Sequence, residues 1–289
     1  LDTGGHLVRR FFRLYPLYAV ALLVYAWPRC GNDVLPEVLL KHAFFLHTLG
    51  SLDVAFYLNP AFWSLPPEVE FYLALPLLGL LIKDFRGVAV AALLSTLLHL
   101  GVNFLPAPSA SGFNPLLLQV HLPGLLCEFL FGALAWRLAG SLRSPLARLL
   151  LIASGIALWL GLASVFVSIG DSGIATSRLF KGNMGLFSAV AFALAVCGIC
   201  GAVRQPPTRL RVFSSWAGNL SYGTYLFHNA APPLLRRLGY NDTGLLFAFA
   251  SLVLTLAIAS LLNLLWEDPW RRFGRRLAHR GGSDAATEG

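Results

Sequence analysis

Long apolar stretches, separated by short polar segments, dominate the pattern of residues along this chain. Eight of them approach the length of about 20 apolar residues that a helix needs to cross the core of a bilayer. They lie at about 13–27, 65–83, 87–105, 116–137, 148–170, 183–201, 215–236 and 244–266. The runs are continuous rather than alternating, which favours helices over strands. The pattern therefore predicts an all-α, polytopic transmembrane bundle of about eight spans over residues 1–280, followed by a disordered tail at 281–289.

The composition supports a membrane protein over the other broad classes. Of 289 residues, 56% are apolar and 12% are charged, whereas soluble domains carry about 25% charged residues. A chain of this length with so little charge is neither a soluble globular domain nor an intrinsically disordered chain.

The distribution of basic residues predicts the orientation of the bundle. If the N-terminus is cytoplasmic, 16 of the 22 Lys and Arg residues fall in inner segments and 6 in outer ones. Basic residues collect in cytoplasmic loops of membrane proteins. We therefore expect both termini to be cytoplasmic, and the net charge of +8 needs no nucleic-acid partner.

A pair of arginines marks the inner end of the first span. Arg10 and Arg13 are three residues apart and share one helix face. Guanidinium groups suit phosphates, so the pair either anchors the helix at lipid headgroups or binds a phosphate-bearing substrate. Pro16 is expected in the first turn of this span, where proline is tolerated.

Polar residues also gather where the second span begins. Ser64 is placed to cap that helix, Glu68 to lie near its positive end, and Trp63 to sit at the membrane interface. The long outer segment 28–64 that leads to it either lies on the interface or re-enters the bundle. This topology puts Glu68 at the outer face and Arg10 at the inner face, too far apart for direct contact.

A third polar group lies on the span that starts near residue 116. His121, Glu128 and Gly132 fall on one face of a continuous helix. Either Glu128 forms a structural pair with His121, or it meets a polar partner where Gly132 allows close packing.

A polar stripe follows the span at 215–236. Ser221, Tyr222, Tyr225, His228 and Asn229 occupy about a third of the helix circumference. Such a stripe should not face lipid. It lines either a cavity or a hydrogen-bonded helix interface.

Five short motifs, in this order, resemble those of the acyltransferase-3 family of integral membrane acyltransferases, which includes bacterial O-acetyltransferases of surface polysaccharides. They are Arg10-x-x-Arg13-x-x-Pro16-Leu17-Tyr18, Trp63-Ser64-Leu65-x-x-Glu68-x-x-Phe71-Tyr72-Leu73, Glu128-Phe129-x-x-Gly132, Leu220-Ser221-Tyr222-x-x-Tyr225-Leu226-x-His228 and Glu267-Asp268-Pro269-x-Arg271. The second is the most specific. The family's first two helices, which carry an Arg and the presumed catalytic His, have no counterpart here, so we expect the domain to be incomplete at its N-terminus.

The resemblance implies transfer of an acyl group, often acetyl, from acyl-CoA to a hydroxyl of a sugar or of a cell-surface or exported glycan, at a bacterial inner membrane. Acyl-CoA is then a co-substrate, and the other partners are the glycan acceptor and the lipid bilayer, with no bound cofactor and no metal. As a hypothesis, Glu68 and His228 are the candidate catalytic residues. The candidate substrate-binding residues are Arg10, Arg13, Trp63, Ser64, Tyr72, Glu128, Ser221, Tyr222, Tyr225 and Glu267.

Two other functions fit the same pattern. A transporter or flippase for a lipid-linked sugar would use the polar stripe as a permeation path, although the chain shows no internal inverted repeat. An inactive remnant of the acyltransferase family would keep the fold without the first-helix His.

Overall fold

The structure, a computed structural model, describes residues 3–50, 52–104, 116–176, 180, 182–202, 208–240 and 243–287. Every regular element within these ranges is a helix, which confirms the all-α prediction. In chain order the α-helices are α1 (Thr3–Ala26), α2 (Leu35–Ala43), α3 (Leu52–Tyr57), α4 (Leu65–Leu81), α5 (Phe85–Asn103), α6 (Leu116–Gln119), α7 (Leu122–Ala139), α8 (Pro145–Thr176), α9 (Met184–Ala202), α10 (Thr208–Phe227), α11 (Ala231–Arg237), α12 (Leu245–Leu262) and α13 (Asp268–Thr287).

Short helical turns of other types join some of these helices. Two 3₁₀ turns cover Trp27–Arg29 and Pro60–Ser64, and a π turn covers Asn263–Glu267. The last helix reaches Thr287, so its bounds include most of the segment 281–289 that the sequence predicts to be a disordered tail.

Among the residues that the structure describes, four helical stretches are long and apolar enough to cross a membrane. They are Phe85–Asn103, Leu122–Ala139, Pro145–Ser168 and Leu245–His279, and Met184–Cys200 is a shorter apolar helix. These five match the predicted spans at 87–105, 116–137, 148–170, 244–266 and 183–201. The eight-span topology and the side of each terminus stay predictions.

Several helix boundaries differ from the predicted ones, and prolines lie near some of them. The span expected at 215–236 is two helices, because α10 ends at Phe227 and α11 starts anew with a proline in its first turn. Likewise, α7 begins at Leu122, directly before a proline, rather than at residue 116. Pro16 lies inside α1 and not in its first turn, because the helix starts at or before Thr3.

The contacts divide the chain into two compact units, Leu1–Leu73 with Pro207–Gly289 and Ala74–Pro206, and the boundary falls inside α4. In the second unit α9 packs on α7 and α8, and α5 packs on α7. Gly155 and Gly198 have no room for a side chain at the α8–α9 contact. Small residues at such contacts let helices approach closely.

The segment 28–64 re-enters the first unit, one of the two predicted alternatives. Tyr18 in the middle of α1 is fully buried, and its hydroxyl donates to the carbonyl of His42 at 3.0 Å. Phe45 stacks on the same ring with centroids 4.9 Å apart. α2 therefore packs beside α1, and the segment that leads into α4 lies against the middle of α1.

The first and last helices pack side by side in the first unit. Phe12 stacks on Trp270 with ring centroids 5.8 Å apart, and Gly274 lies so close to Phe12 that a Cβ atom there would overlap the phenyl side chain. Trp266 in the π turn donates from Nε1 to the carbonyl of Pro16 at 2.9 Å. This contact brings the basic residues of α1 and α13 together.

Candidate functional site

A strongly cationic cavity of about 470 Å³ lies between the N-terminal half of α1 and the start of α13. It contains both arginines that the sequence analysis selected, Arg10 and Arg13. The lining residues are His6, Arg9, Arg10, Arg13, Asn219, Asp268, Arg271 and Arg275. Five arginines and one aspartate line this cavity, a composition that suits a polyvalent anion, since guanidinium groups bind phosphates through paired hydrogen bonds.

Arg271 is held in a fixed position at the wall of this cavity. It donates from Nη1 to Oδ1 of Asn219 at 2.9 Å and from Nη2 to Oδ1 of Asp268 at 3.1 Å. Its Nη1 also lies 3.6 Å from Oε1 of Glu267, which is only 2% exposed. The predicted substrate-binding residue Glu267 is therefore placed behind the cavity, where it neutralises and orients Arg271.

Arg10 connects the cavity to the start of α4. Its Cζ atom lies 4.7 Å from the centroid of the Tyr72 ring, and the Tyr72 hydroxyl donates to Oε1 of Glu68 at 2.6 Å. The prediction that Glu68 and Arg10 lie at opposite faces is wrong. The two residues do not need to touch to be close, because both contact the side chain of Tyr72. The re-entry of segment 28–64 is the physical reason: it places Phe62, just before α4, against Tyr18 of α1, with ring centroids 5.1 Å apart, and Tyr72 further along α4 then lies under Arg10.

The 3₁₀ turn before α4 is shaped by Asn59 rather than by Ser64. The Asn59 side chain caps this turn by accepting from the amide of Ala61 at 3.0 Å. Ser64, predicted to cap α4, instead lies with its hydroxyl oxygen 3.2 Å from the Ala61 carbonyl oxygen and against the Tyr225 hydroxyl. Trp63 is half-buried in the same turn.

Two tyrosines of the polar stripe hold α10 against the rest of the first unit. Tyr222 donates to the carbonyl of Leu14 at 3.0 Å, and Tyr225 donates to the carbonyl of Ala61 at 2.7 Å. Asn229 donates to Oδ1 of Asn59 at 2.8 Å. These three residues form a hydrogen-bonded helix interface, one of the two alternatives for the stripe.

The other two stripe residues are exposed. Ser221 donates to the carbonyl of Gly218, and His228 lies in the turn after α10 with Nδ1 2.7 Å from the carbonyl of Tyr225. That carbonyl requires a proton on Nδ1 of a neutral ring, which leaves Nε2 as an acceptor. The contacts of the described residues do not join His228 to Glu68.

Glu128 belongs to the second unit and faces a different glycine from the one expected. Its carboxylate lies against Gly185, where a Cβ atom would overlap it, whereas Gly132 has no neighbour within 4 Å of such an atom. His121 precedes α7 as its N-cap and is not on the helix. Glu128 and Gly132, four residues apart on α7, share a helix face as predicted, but His121 is not part of that helix, which begins at Leu122 with Pro123 in its first turn.

An apolar cavity of about 500 Å³ adjoins the same part of the first unit. Arg10 and Tyr72 line it together with side chains of α1, the 43–45 segment and α4. The full lining is Leu7, Arg10, Phe11, Leu14, Tyr15, Ala43, Phe44, Phe45, Val69, Tyr72 and Leu73. Arg10 therefore belongs to both cavities.

Although Asp268 and Arg271 belong to the fifth motif, six of the residues that line the cationic cavity are not among the candidate site residues. These are His6, Arg9, Asn219, Asp268, Arg271 and Arg275. One available signal was the four-residue spacing of Arg271 and Arg275, which puts both on one helix face. Within the described ranges, no group of three or more His, Cys, Asp or Glu side chains could hold a metal ion.

One comparison with known proteins identifies a family. The acyltransferase-3 family model, described as an acyltransferase domain, matches residues 1–264. No curated protein and no solved structure matches the chain. The matched range contains every predicted site residue except Glu267.

Proposed function

Because the chain belongs to the acyltransferase-3 family, we propose that it is a membrane acyltransferase with acyl-CoA as donor and a hydroxyl of a sugar, or of a cell-surface or exported glycan, as acceptor. The family assignment confirms the resemblance that the five motifs indicate. We extend it to O-acetylation of a polysaccharide at a bacterial inner membrane, with acetyl-CoA as the simplest donor, because the motif resemblance implies that reaction.

The cationic cavity is the observation that supports an acyl-CoA donor. CoA is a polyvalent anion with a long neutral arm, and the five arginines of the cavity offer charge and donors for its phosphates. If both termini are cytoplasmic, as the basic residues predict, this cavity opens on the side where acyl-CoA is made. A phosphate-free acyl donor would gain nothing from such a site.

Glu68 is our candidate for the group that receives the acceptor proton. In the proposed step the acceptor O–H proton passes to the Glu68 carboxylate while the oxygen attacks the thioester carbonyl. The carbon–sulfur bond then breaks, and the CoA thiolate leaves and takes up the proton that Glu68 received. Tyr72 holds the Glu68 carboxylate at 2.6 Å, which fixes its orientation for general-base catalysis.

The remaining predicted residues receive positional roles in this proposal. The donor protons of Tyr222 and Tyr225 are used by backbone carbonyls, so these residues position α10. His228 presents Nε2 and Ser221 its hydroxyl oxygen as acceptors for a sugar hydroxyl. Glu128, Trp63 and Ser64 stay predicted substrate-binding residues.

The decisive experiment compares cavity arginines with an arginine outside the cavity. The full chain in membranes is assayed for transfer of labelled acetyl from acetyl-CoA to membrane glycans. Arg10→Gln and Arg13→Gln should each raise KM for acetyl-CoA about tenfold, since one hydrogen bond between charged groups contributes about 1.5–3 kcal/mol. The control is Arg276→Gln, on α13 and not among the cavity residues.

Two results would overturn the proposal. Equal KM values for the cavity variants and the Arg276 control would reject the donor site. Movement of a lipid-linked sugar across the membrane without any acyl turnover would instead establish a transporter.

A further inference from the structure

We propose that the apolar cavity beside the arginines holds the acyl chain of the donor, and that this cavity lets the protein accept, besides acetyl-CoA, donors with an acyl chain of medium length. This inference rests on the proposed function, because it requires acyl-CoA at the cationic cavity. It assigns a substrate class to the adjoining apolar space.

The walls of the apolar cavity suit a hydrocarbon chain. Leu14 closes its floor and is buried, while Phe11, Phe44 and Leu73 stand exposed at its rim. The side chains supply aromatic and aliphatic surface, and the polar groups that reach the cavity come from arginine and tyrosine. A volume of about 500 Å³ is in the range of cavities that enclose most of a small organic ligand.

Arg10 makes the two cavities one amphipathic site. It lines both of them, and its guanidinium lies over the Tyr72 ring with Cζ 4.7 Å from the centroid. Long basic side chains lay their methylenes along apolar surface and keep the charged head at the polar side. A ligand bound across Arg10 therefore has its anionic part among the arginines and its apolar part against Leu14 and Leu73.

The position of Tyr72 places the apolar cavity next to the proposed chemistry. The ring lines the cavity, and its hydroxyl holds the Glu68 carboxylate. A chain seated there would keep its thioester end near Glu68. An acetyl group is too small to fill about 500 Å³, so a short donor would leave most of this apolar wall uncovered.

Charge complementarity favours a CoA thioester over a bilayer lipid as the occupant. The neighbouring cationic cavity carries five arginines and an asparagine around about 470 Å³, which matches several phosphates and a nucleotide better than a single phosphodiester. The bilayer lipid is the competing occupant, and the experiment is designed to detect it.

The experiment measures binding of CoA, acetyl-CoA and octanoyl-CoA to the full chain in nanodiscs, with partition into empty nanodiscs subtracted. Each methylene removed from water contributes about a fourfold gain in affinity. We expect octanoyl-CoA to bind at least a hundredfold more tightly than acetyl-CoA. Leu73→Trp, which fills the cavity, should remove most of this gain and leave the affinity for CoA itself unchanged within twofold.

The matched control is Leu77→Trp, one helical turn further along α4. Leu73 and Leu77 are 61% and 70% exposed on the same helix face, but only Leu73 lines the cavity. The chain-length gain should survive in this variant. Val69→Phe, a second filling substitution, should reproduce the effect of Leu73→Trp if that protein fails to fold.

The outcomes separate this inference from the proposed function. Absence of CoA binding would reject the donor site itself. Normal CoA binding without a chain-length gain, or a gain lost equally in the Leu77 control, would overturn the acyl-chain cavity alone. A phospholipid that copurifies with the chain and is lost in Leu73→Trp, with no octanoyl gain, would show that a bilayer lipid fills the cavity.

Discussion

The guanidinium of Arg10 lies over the ring of Tyr72, with Cζ 4.7 Å from the ring centroid. The same tyrosine donates its hydroxyl proton to Glu68 at 2.6 Å. The interaction of a cation with the face of an aromatic ring contributes about 0.5–2 kcal/mol. The Tyr72 side chain therefore holds both Arg10, the proposed phosphate-binding residue, and Glu68, the proposed base.

Removal of the Tyr72 hydroxyl should affect turnover and not donor binding. Tyr72→Phe keeps the ring under Arg10 but frees the Glu68 carboxylate. We expect kcat to fall about tenfold to a hundredfold, the effect of losing one hydrogen bond to a charged group, with KM for acyl-CoA within twofold. Tyr72→Leu removes the ring as well and should raise KM too. A Phe variant with wild-type kcat would exclude this positioning role.

Arg271 should be essential for stability because it compensates a buried carboxylate. Its Nη1 lies 3.6 Å from Oε1 of Glu267, and these side chains are 12% and 2% exposed. Arg271→Gln should lower the free energy of unfolding by about 3 kcal/mol, measured by urea titration in detergent. Adding Glu267→Gln to this variant should restore most of the lost free energy of unfolding. A double variant no more stable than Arg271→Gln would show that the ion pair is not the cause.

Gly274 should tolerate no side chain, because a Cβ atom there overlaps Phe12. Gly274→Ala should destabilise the chain by about 1–3 kcal/mol, the usual effect of overpacking, although alanine favours helix elsewhere. Gly218→Ala is the control, since no atom lies within 4 Å of its added Cβ. Phe12→Leu should rescue the Gly274 variant in thermal unfolding, and equal stability of the two alanine variants would contradict the close contact.

His42 should make stability depend on pH. Its ring is buried and stacks on that of His47, with centroids 4.1 Å apart, and burial lowers the pKa of His42. The unfolded chain therefore binds more protons below about pH 6.5. The contribution of His42 to stability should be constant above that pH and should fall on acidification by on the order of 1 kcal/mol per pH unit.

The check on this pH dependence is a pair of histidine variants followed by chemical unfolding between pH 5 and 8. His42→Gln should flatten the profile, while the exposed His279→Gln should retain it. Identical slopes of the wild-type and His42→Gln profiles below about pH 6.5 would contradict the prediction.

The apolar helices could be predicted from the sequence because their signal is local. The runs at 87–105 and 244–266, for example, need only length and hydropathy to be recognised as helices, and the structure has helices there. The Tyr72–Glu68 contact is also local, because residues four apart share a helix face.

The architecture of the site could not be predicted, because it depends on where segment 28–64 lies. Apolar content does not distinguish a surface loop from a segment that packs back along α1. The position of this segment decides whether Glu68 and Arg10 lie close enough to share Tyr72. The contact of Arg271 and Arg275 with α1 is equally non-local, since it joins residues more than 250 positions apart. Such contacts follow from packing that a single sequence does not encode in any local pattern.

The π turn at Asn263–Glu267 determines how the side chains of α13 are rotated about the helix axis relative to those of α12. An α-helix advances about 100° per residue, and a π turn typically adds one residue to a turn. Deleting one residue here would rotate α13 by that angle relative to α12, turning Arg271 and Arg275 away from α1 although every arginine of the cationic cavity stayed present. The residue composition thus determines the charge of the cationic cavity, whereas the length of this five-residue segment determines the direction in which Arg271 and Arg275 point.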